Sequence, residues 1–137
     1  MADKIRRVDY YYVEIPDQAG EGFRILGKLK EAGVNLLSFT AFPIGGGRSQ
    51  LDLVPERGEA LQKAAKEAGL TLSGRKQAFF VQGKDRVGAA AEVFKKLADA
   101  RVNVHAANAA CGSDGGFGLI VWVKPDQVQA AAKALGI

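Results

Sequence analysis

The sequence predicts an α+β protein built from two tandem βαββαβ repeats, each an antiparallel sheet with helices on one face, and three observations lead there. The first is internal repetition. Asp17-Gln18-Ala19-Gly20 lines up with Asp85-Arg86-Val87-Gly88, an offset of 68 residues (85 less 17), and the same offset carries Ala32-Gly33-Val34-Asn35 onto Ala100-Arg101-Val102-Asn103. The second is helical periodicity between those anchors. Gly22, Ile25, Leu26 and Leu29 superpose on Ala90, Val93, Phe94 and Leu97, the i, i+3, i+4, i+7 stripe of an amphipathic helix. The third is β-favouring sequence ahead of each helix, in Val8 to Ile15 and in Gln77 to Gln82.

The elements follow in order. In the first strands Tyr11 and Val13 match Phe79 and Val81, and by alternation these face the helices, while Tyr10, Tyr12 and Glu14 with Ala78, Phe80 and Gln82 face the other way. The outward faces of the first helices hold Arg24, Lys28 and Glu31 in one copy and Glu92, Lys95, Lys96 and Asp99 in the other. Second strands are expected over Asn35 to Phe42 and Asn103 to Ala110. Glycine-rich turns, Gly45-Gly46-Gly47 and Gly112 to Gly116, then start the returning strands Ser49 to Val54 and Phe117 to Lys124. Pro55 and Pro125 punctuate the junctions to the second helices, whose apolar positions are Leu61, Ala64, Ala65 and Ala68, and Val128, Ala131, Ala132 and Leu135.

Leu70 to Ser73 can supply a fourth strand for the first copy, residues 1–74. The second copy, residues 75–137, reaches Ile137 directly after its last helix, so its fourth strand is expected to be missing. Tyr12, Phe80, Ile120 and Trp122 put large apolar groups on the sheet face away from the helices, which calls for a second sheet over them, from the same chain or from a homodimer.

Composition narrows the function. The 137 residues are 47% hydrophobic and 25% charged, as in folded soluble domains, which argues against disorder or a fibrous repeat. No apolar run is long enough to cross a bilayer and the N-terminus lacks a signal-peptide pattern, so a cytoplasmic location and no membrane partner are expected. The net charge of +4 is spread along the chain and interleaved with acids, which is weak support for an anionic partner. One cysteine, Cys111, and one histidine, His105, make neither a disulfide nor a zinc set nor a nucleophilic pair, so no metal, cofactor or catalytic residue is expected. Gly45-Gly46-Gly47-Arg48 lacks the spacing of a phosphate-binding loop and reads as a hairpin.

The stretch Val81-Gln82-Gly83-Lys84-Asp85-Arg86-Val87-Gly88, followed by Val93-Phe94, Leu97 and Arg101-Val102-Asn103-Val104, resembles the core signature of ACT domains, small ligand-sensing modules that regulate amino-acid metabolism. Ile15-Pro16-Asp17-Gln18-Ala19-Gly20, Ile25-Leu26, Leu29 and Ala32-Gly33-Val34-Asn35-Leu36 repeat it, so the resemblance covers nearly the whole chain. It implies ferredoxin-like repeats and a stand-alone, non-catalytic regulator. It also implies an amino acid bound between ACT units by the first β-α loop and the start of the second strand. Arg101, where the first copy has Gly33, departs from the pattern.

On that reading the ligand-binding candidates are Asp17, Gln18, Ala19, Gly20, Gly22, Asn35 and Leu36, with Asp85, Arg86, Val87, Gly88, Asn103 and Val104. Backbone N–H groups at a helix start suit a carboxylate, an aspartate suits an ammonium group, and asparagine offers a donor and an acceptor. Arg86 could grip a carboxylate or phosphate by its fork. Asp17 and Asp85 equally fit helix caps or Asx-turns, Asn35 and Asn103 fit turn geometry, and Arg86 fits a solvated surface. Two alternatives stay open: a nucleic-acid-binding module using Tyr10, Tyr12 and Phe80, and a protein-interaction module without a ligand that acts on a partner in trans. An enzyme on the same scaffold has no named residues.

Overall fold

The structure, a computed structural model, describes residues 2–137. The elements run β1 (Lys4–Pro16), α1 (Glu21–Glu31), β2 (Leu36–Gly45), β3 (Arg48–Pro55) and α2 (Gly58–Ala68). β4 (Lys76–Lys84), α3 (Ala89–Asp99), β5 (Ala106–Cys111), β6 (Gly116–Trp122) and α4 (Val128–Leu135) follow. A single 3₁₀ turn, Pro125–Gln127, opens on the proline expected at that junction and leads into α4. Contacts group the chain into two units. The first is Asp9–Lys76, and the second is Gln77–Ile137 together with the N-terminal segment through Val8.

In the first unit the strand order is β2-β3-β1, all antiparallel, with Tyr11 opposite Leu53 and Phe39 opposite Leu53 on its other side. The alternation in β1 decides its core: Tyr11, Val13 and Ile15 point to the helices and pack with Ile25, Leu29, Leu51, Leu53, Leu61 and Ala64. Leu70 to Ser73 is not a regular strand. It lies along β1 held by two bonds at one point, where the Ser73 N–H donates to the Tyr12 carbonyl at 2.9 Å and the Tyr12 N–H donates to Ser73 Oγ at 2.9 Å.

In the second unit β5, β6 and β4 are antiparallel in that order, with Phe79 opposite Val121 and Ala107 opposite Val121. The core joins Phe79, Val81, Val93, Leu97, Leu119 and Val121 to Val128, Ala131, Ala132 and Leu135 of α4. The next position beyond β4 is not empty: it is taken by β1, whose first residues, Lys4–Val8, group with this unit. Ile5 packs on the core there. The expected gap after Ile137 is therefore filled from the other end of the chain. β1 begins four residues before the Val8 read from sequence, because Lys4-Ile5-Arg6-Arg7 carries charges that hide a strand pattern.

The β-α loops and first-helix exits of the two units share several backbone bonds at the offset of 68. The Asp17 N–H donates to the Gly47 carbonyl at 2.8 Å, and that of Asp85 to Gly115 at 2.9 Å; Val34 closes on Leu29 as Val102 does on Leu97, each at 2.9 Å. Arg101 keeps this geometry by adopting φ +59°, close to the +73° of Gly33. A left-handed conformation costs a residue with a Cβ about 1–2 kcal/mol, so the local backbone pattern outweighs that strain. The buried stripe of α3 is narrower than the periodicity suggests, since Phe94 is exposed. Phe80, Ile120 and Trp122 are buried within the single chain, so these residues do not require a homodimer to cover them.

Candidate ligand-binding site

Each β-α loop ends on a left-handed glycine at the helix N-cap, Gly20 (φ +89°) and Gly88 (φ +79°), where a residue with a Cβ would be strained. Gln18 and Arg86 accept from the N–H groups of Glu21 and Ala89 through their carbonyls, at 3.2 and 3.3 Å. Ala19 and Val87 are exposed at the loop tips, Val87 fully so. Gly22 has open space around its missing side chain, so nothing in the chain itself demands a glycine there.

Neither aspartate caps a helix by its side chain. The Asp17 carboxylate accepts from Ser49 Oγ at 3.0 Å, which ties the loop to β3. That of Asp85 faces Cys111 on β5 and pushes its thiol pKa up by bonding to the protonated form. Asp85, Arg86 and Gly88 line a cleft of about 270 Å³ with the α3 residues Ala89 to Ala91, the β5 residues Ala109 to Cys111, and Phe117. Three alanines at the helix start and two on the strand keep it open.

The asparagines lie elsewhere. Asn35 donates to Glu56 Oε2 at 2.8 Å and accepts the Glu56 N–H at 2.9 Å, which joins the end of α1 to the approach to α2. With Leu36, Leu26, Lys30, Gly33 and Phe39 it borders a shallow cleft of about 520 Å³. The Asn103 N–H donates to Gln127 Oε1 at 3.2 Å, and Val104 packs on the core. The 11-residue helix between loop and asparagine spans about 16 Å at 1.5 Å per residue. Loop and asparagine of one unit therefore sit at opposite ends of a helix and cannot hold one amino acid between them. The order of the chain already implies this, since each loop precedes and each asparagine follows the helix between them.

Arg86 is already engaged. Its fork takes both oxygens of Asp3, at 3.0 Å each, and it also donates to the Lys84 carbonyl at 3.0 Å and to Glu92, while stacking 5.8 Å from the Phe117 ring centre. The bond to Arg86 holds the Asp3 carboxyl below the usual carboxylate range, and the two acids hold the guanidinium pKa up. Asp3 lies where a Cβ on Gly83 would overlap its carboxylate, so the glycine makes the space it occupies. Asp3 is not among the residues that the repeat singles out, and the charged residues after it, Lys4-Ile5-Arg6-Arg7, give no strand pattern that would mark it.

For nucleic acid, Phe80 is buried and Tyr10 and Tyr12 are partly covered, so the three aromatics form no open platform on which bases could stack. No cluster of three or more metal-ligating side chains occurs among the described residues. No helix among them is long and apolar enough to cross a membrane.

No protein-family model matches the chain, and no curated protein does. Solved structures do. A Bacteroides thetaiotaomicron protein, BT0572, superposes with a TM-score of 0.77 at 12% identity, over 94% of this chain and 88% of its own. The ligand-free regulatory subunit of aspartate kinase from Thermus thermophilus gives 0.64 at 18% identity, over 97% and 93%. The Thermus flavus counterpart gives 0.59 at 22%, over 98% and 93%. The class this defines is an α+β fold of two ferredoxin-like repeats. The chain has the tandem ACT-type fold that its sequence resembles, to which the aspartate kinase regulatory subunits are similar.

Proposed function

We propose that this chain is a non-catalytic regulatory protein that binds a small molecule, an amino acid, through its β-α loops and acts on a partner enzyme or other protein in trans. The observation that carries the reading is the cleft at Asp85-Arg86-Gly88, closed on one side by β5 and floored by alanines. Backbone N–H groups at a helix start and a carboxylate beside them suit a zwitterion, and Asp85 is the group for its ammonium end. The likeness to regulatory subunits of aspartate kinase supports the regulatory part. Because loop and asparagine lie at opposite ends of each helix, a ligand that touches both is held between two units, and a homodimer is the simplest source of the second. β5, an edge strand exposed along its whole length, is suited to such a contact.

The test is a thermal-shift screen of the purified protein against the standard amino acids, since a ligand that binds only the native state raises the melting temperature. A rise for a few chemically related amino acids, lost in Asp85→Ala and in Gly88→Val, is the expected result. A flat screen with native, monomeric protein would remove the amino-acid reading and leave a protein-interaction module.

A further inference from the structure

The two units differ most where the first strand of each meets its first helix. In the second unit that corner is closed internally, by Arg86 lying between Asp3 and Glu92 over Gly83. At the offset of 68 the first unit has Gln18 for Arg86, Arg24 for Glu92, Arg48 for Gly116 and Ile15 for Gly83. Arg24 reverses the charge of Glu92, Gln18 is neutral where Arg86 is cationic, Arg48 adds a cation, and no described side chain fills the space. What remains is a cleft of about 420 Å³ bordered by Tyr12 to Ile15, by Arg24 and Ile25, by Arg48, and by Gly69 to Ser73. That volume lies in the ordinary range of small-molecule sites, roughly 300–1,000 Å³.

Two properties of the wall specify an occupant. Arg24 meets Glu21 through Nε at 2.6 Å and Arg48 faces Glu14 through Nε at 3.9 Å, so in both the Nη atoms carry no hydrogen bond among the described residues. Both side chains are about half exposed, at 46% and 49%. The other property is an open strand edge. Tyr12 directs its N–H and carbonyl away from β3, toward Ser73, so Tyr12 and Asp52 are a pair without mutual hydrogen bonds. Such pairs recur every second residue, which makes Glu14 and Gln50 another one. The Glu14 N–H and carbonyl therefore face the cleft, and no described backbone group of Leu70 to Leu72 meets them.

We propose that this cleft is a second ligand site, taking a small molecule with a carboxylate for Arg24 and Arg48 and an amide-like donor and acceptor for the edge of β1 at Glu14. An N-acylated amino acid or a dipeptide has that chemistry. The second unit shows the same corner accepting a carboxylate, that of Asp3, from its own chain. The site lies wholly within Asp9–Lys76 and is independent of the amino-acid cleft at Asp85 to Gly88.

The probe is N-acetylglycine, titrated into ¹⁵N-labelled protein and followed by amide chemical shifts. Saturable shifts at Tyr12 to Ile15, Arg24 and Gly69 to Ser73, with those at Asp85 to Gly88 and Ala109 to Cys111 unmoved, are expected. N-acetylglycine amide, which lacks the carboxylate, should leave the first set in place. Arg24→Gln and Arg48→Gln should each weaken binding about tenfold, the loss of one charge-assisted contact, with the remaining spectrum superposing on the wild type to show an intact fold. The proposal is overturned if no saturable shift appears, if inorganic phosphate moves the same amides as strongly, or if the two substitutions leave the titration unchanged.

Discussion

The two units share one local grammar and use it to opposite ends. Their β-α loops, helix exits and strand pairings superpose at a single offset, down to the bond from the loop aspartate to the glycine turn, Asp17 to Gly47 and Asp85 to Gly115. Yet the second unit is sealed by a segment from the far end of the chain, with Asp3 clamped by Arg86, while the first leaves an arginine-lined cleft beside a half-paired strand. A repeat therefore preserves what short-range backbone bonds require, such as the left-handed residue after each first helix, supplied by Gly33 in one copy and Arg101 in the other. It leaves free what side chains at the rim do, and that is where binding chemistry can diverge.

The comparison breaks most visibly at Gly83. Gly83→Ala would drive a methyl into the Asp3 carboxylate and to 3.0 Å from Phe117 Cε1, and is expected to cost about 1–3 kcal/mol. Urea denaturation measures the loss, and hydrogen exchange should place it in Lys4–Val8 and β4 rather than in Asp9–Lys76. Uniform exchange across both units would show that the N-terminal segment is not a separate clamp.

A smaller effect is expected from Asp3→Asn, and its pH dependence carries the information. The native Asp3 carboxyl titrates below its unfolded value, so its contribution is present above about pH 4 and is lost as pH falls through the depressed native value. Thermal denaturation should show wild type more stable than the variant at pH 7, the two converging toward pH 2. A gap of constant size over that range would mean that the Asp3 charge is not what holds the segment.

The smallest effect sharpens the similarity of the units. Arg101→Gly relieves a left-handed residue at some entropic cost in the unfolded chain, and should raise stability by up to about 1 kcal/mol; Gly33→Ala should lower it by about as much. Equal and opposite shifts in the denaturation midpoint would show that the two helix exits are interchangeable. If Arg101→Gly destabilises, the arginine side chain holds something that the backbone argument misses.

Most of the core is legible in local patterns. Helical spacing marks Ile25 and Leu29, with Val93 and Leu97, and alternation marks Tyr11 and Val13, with Phe79 and Val81; all are buried where expected. Phe94 lies outside, because a periodic stripe gives the direction of a buried face but not its width. Repetition picks out the candidate loops, and the asparagines with them. That Arg86 is occupied has no local signature, because Asp3 lies 83 residues away in sequence.

The sequence by itself determined the two repeats, the faces of their helices and strands, and the turns that join them, since each follows from periodicity and backbone preference within about a dozen residues. Only the tertiary structure decided which segment completes each sheet and which charges are already paired. Those outcomes depend on long-range contacts: hydrogen-bonding edges that any extended segment can satisfy, and charges whose meaning depends on what the rest of the chain brings beside them.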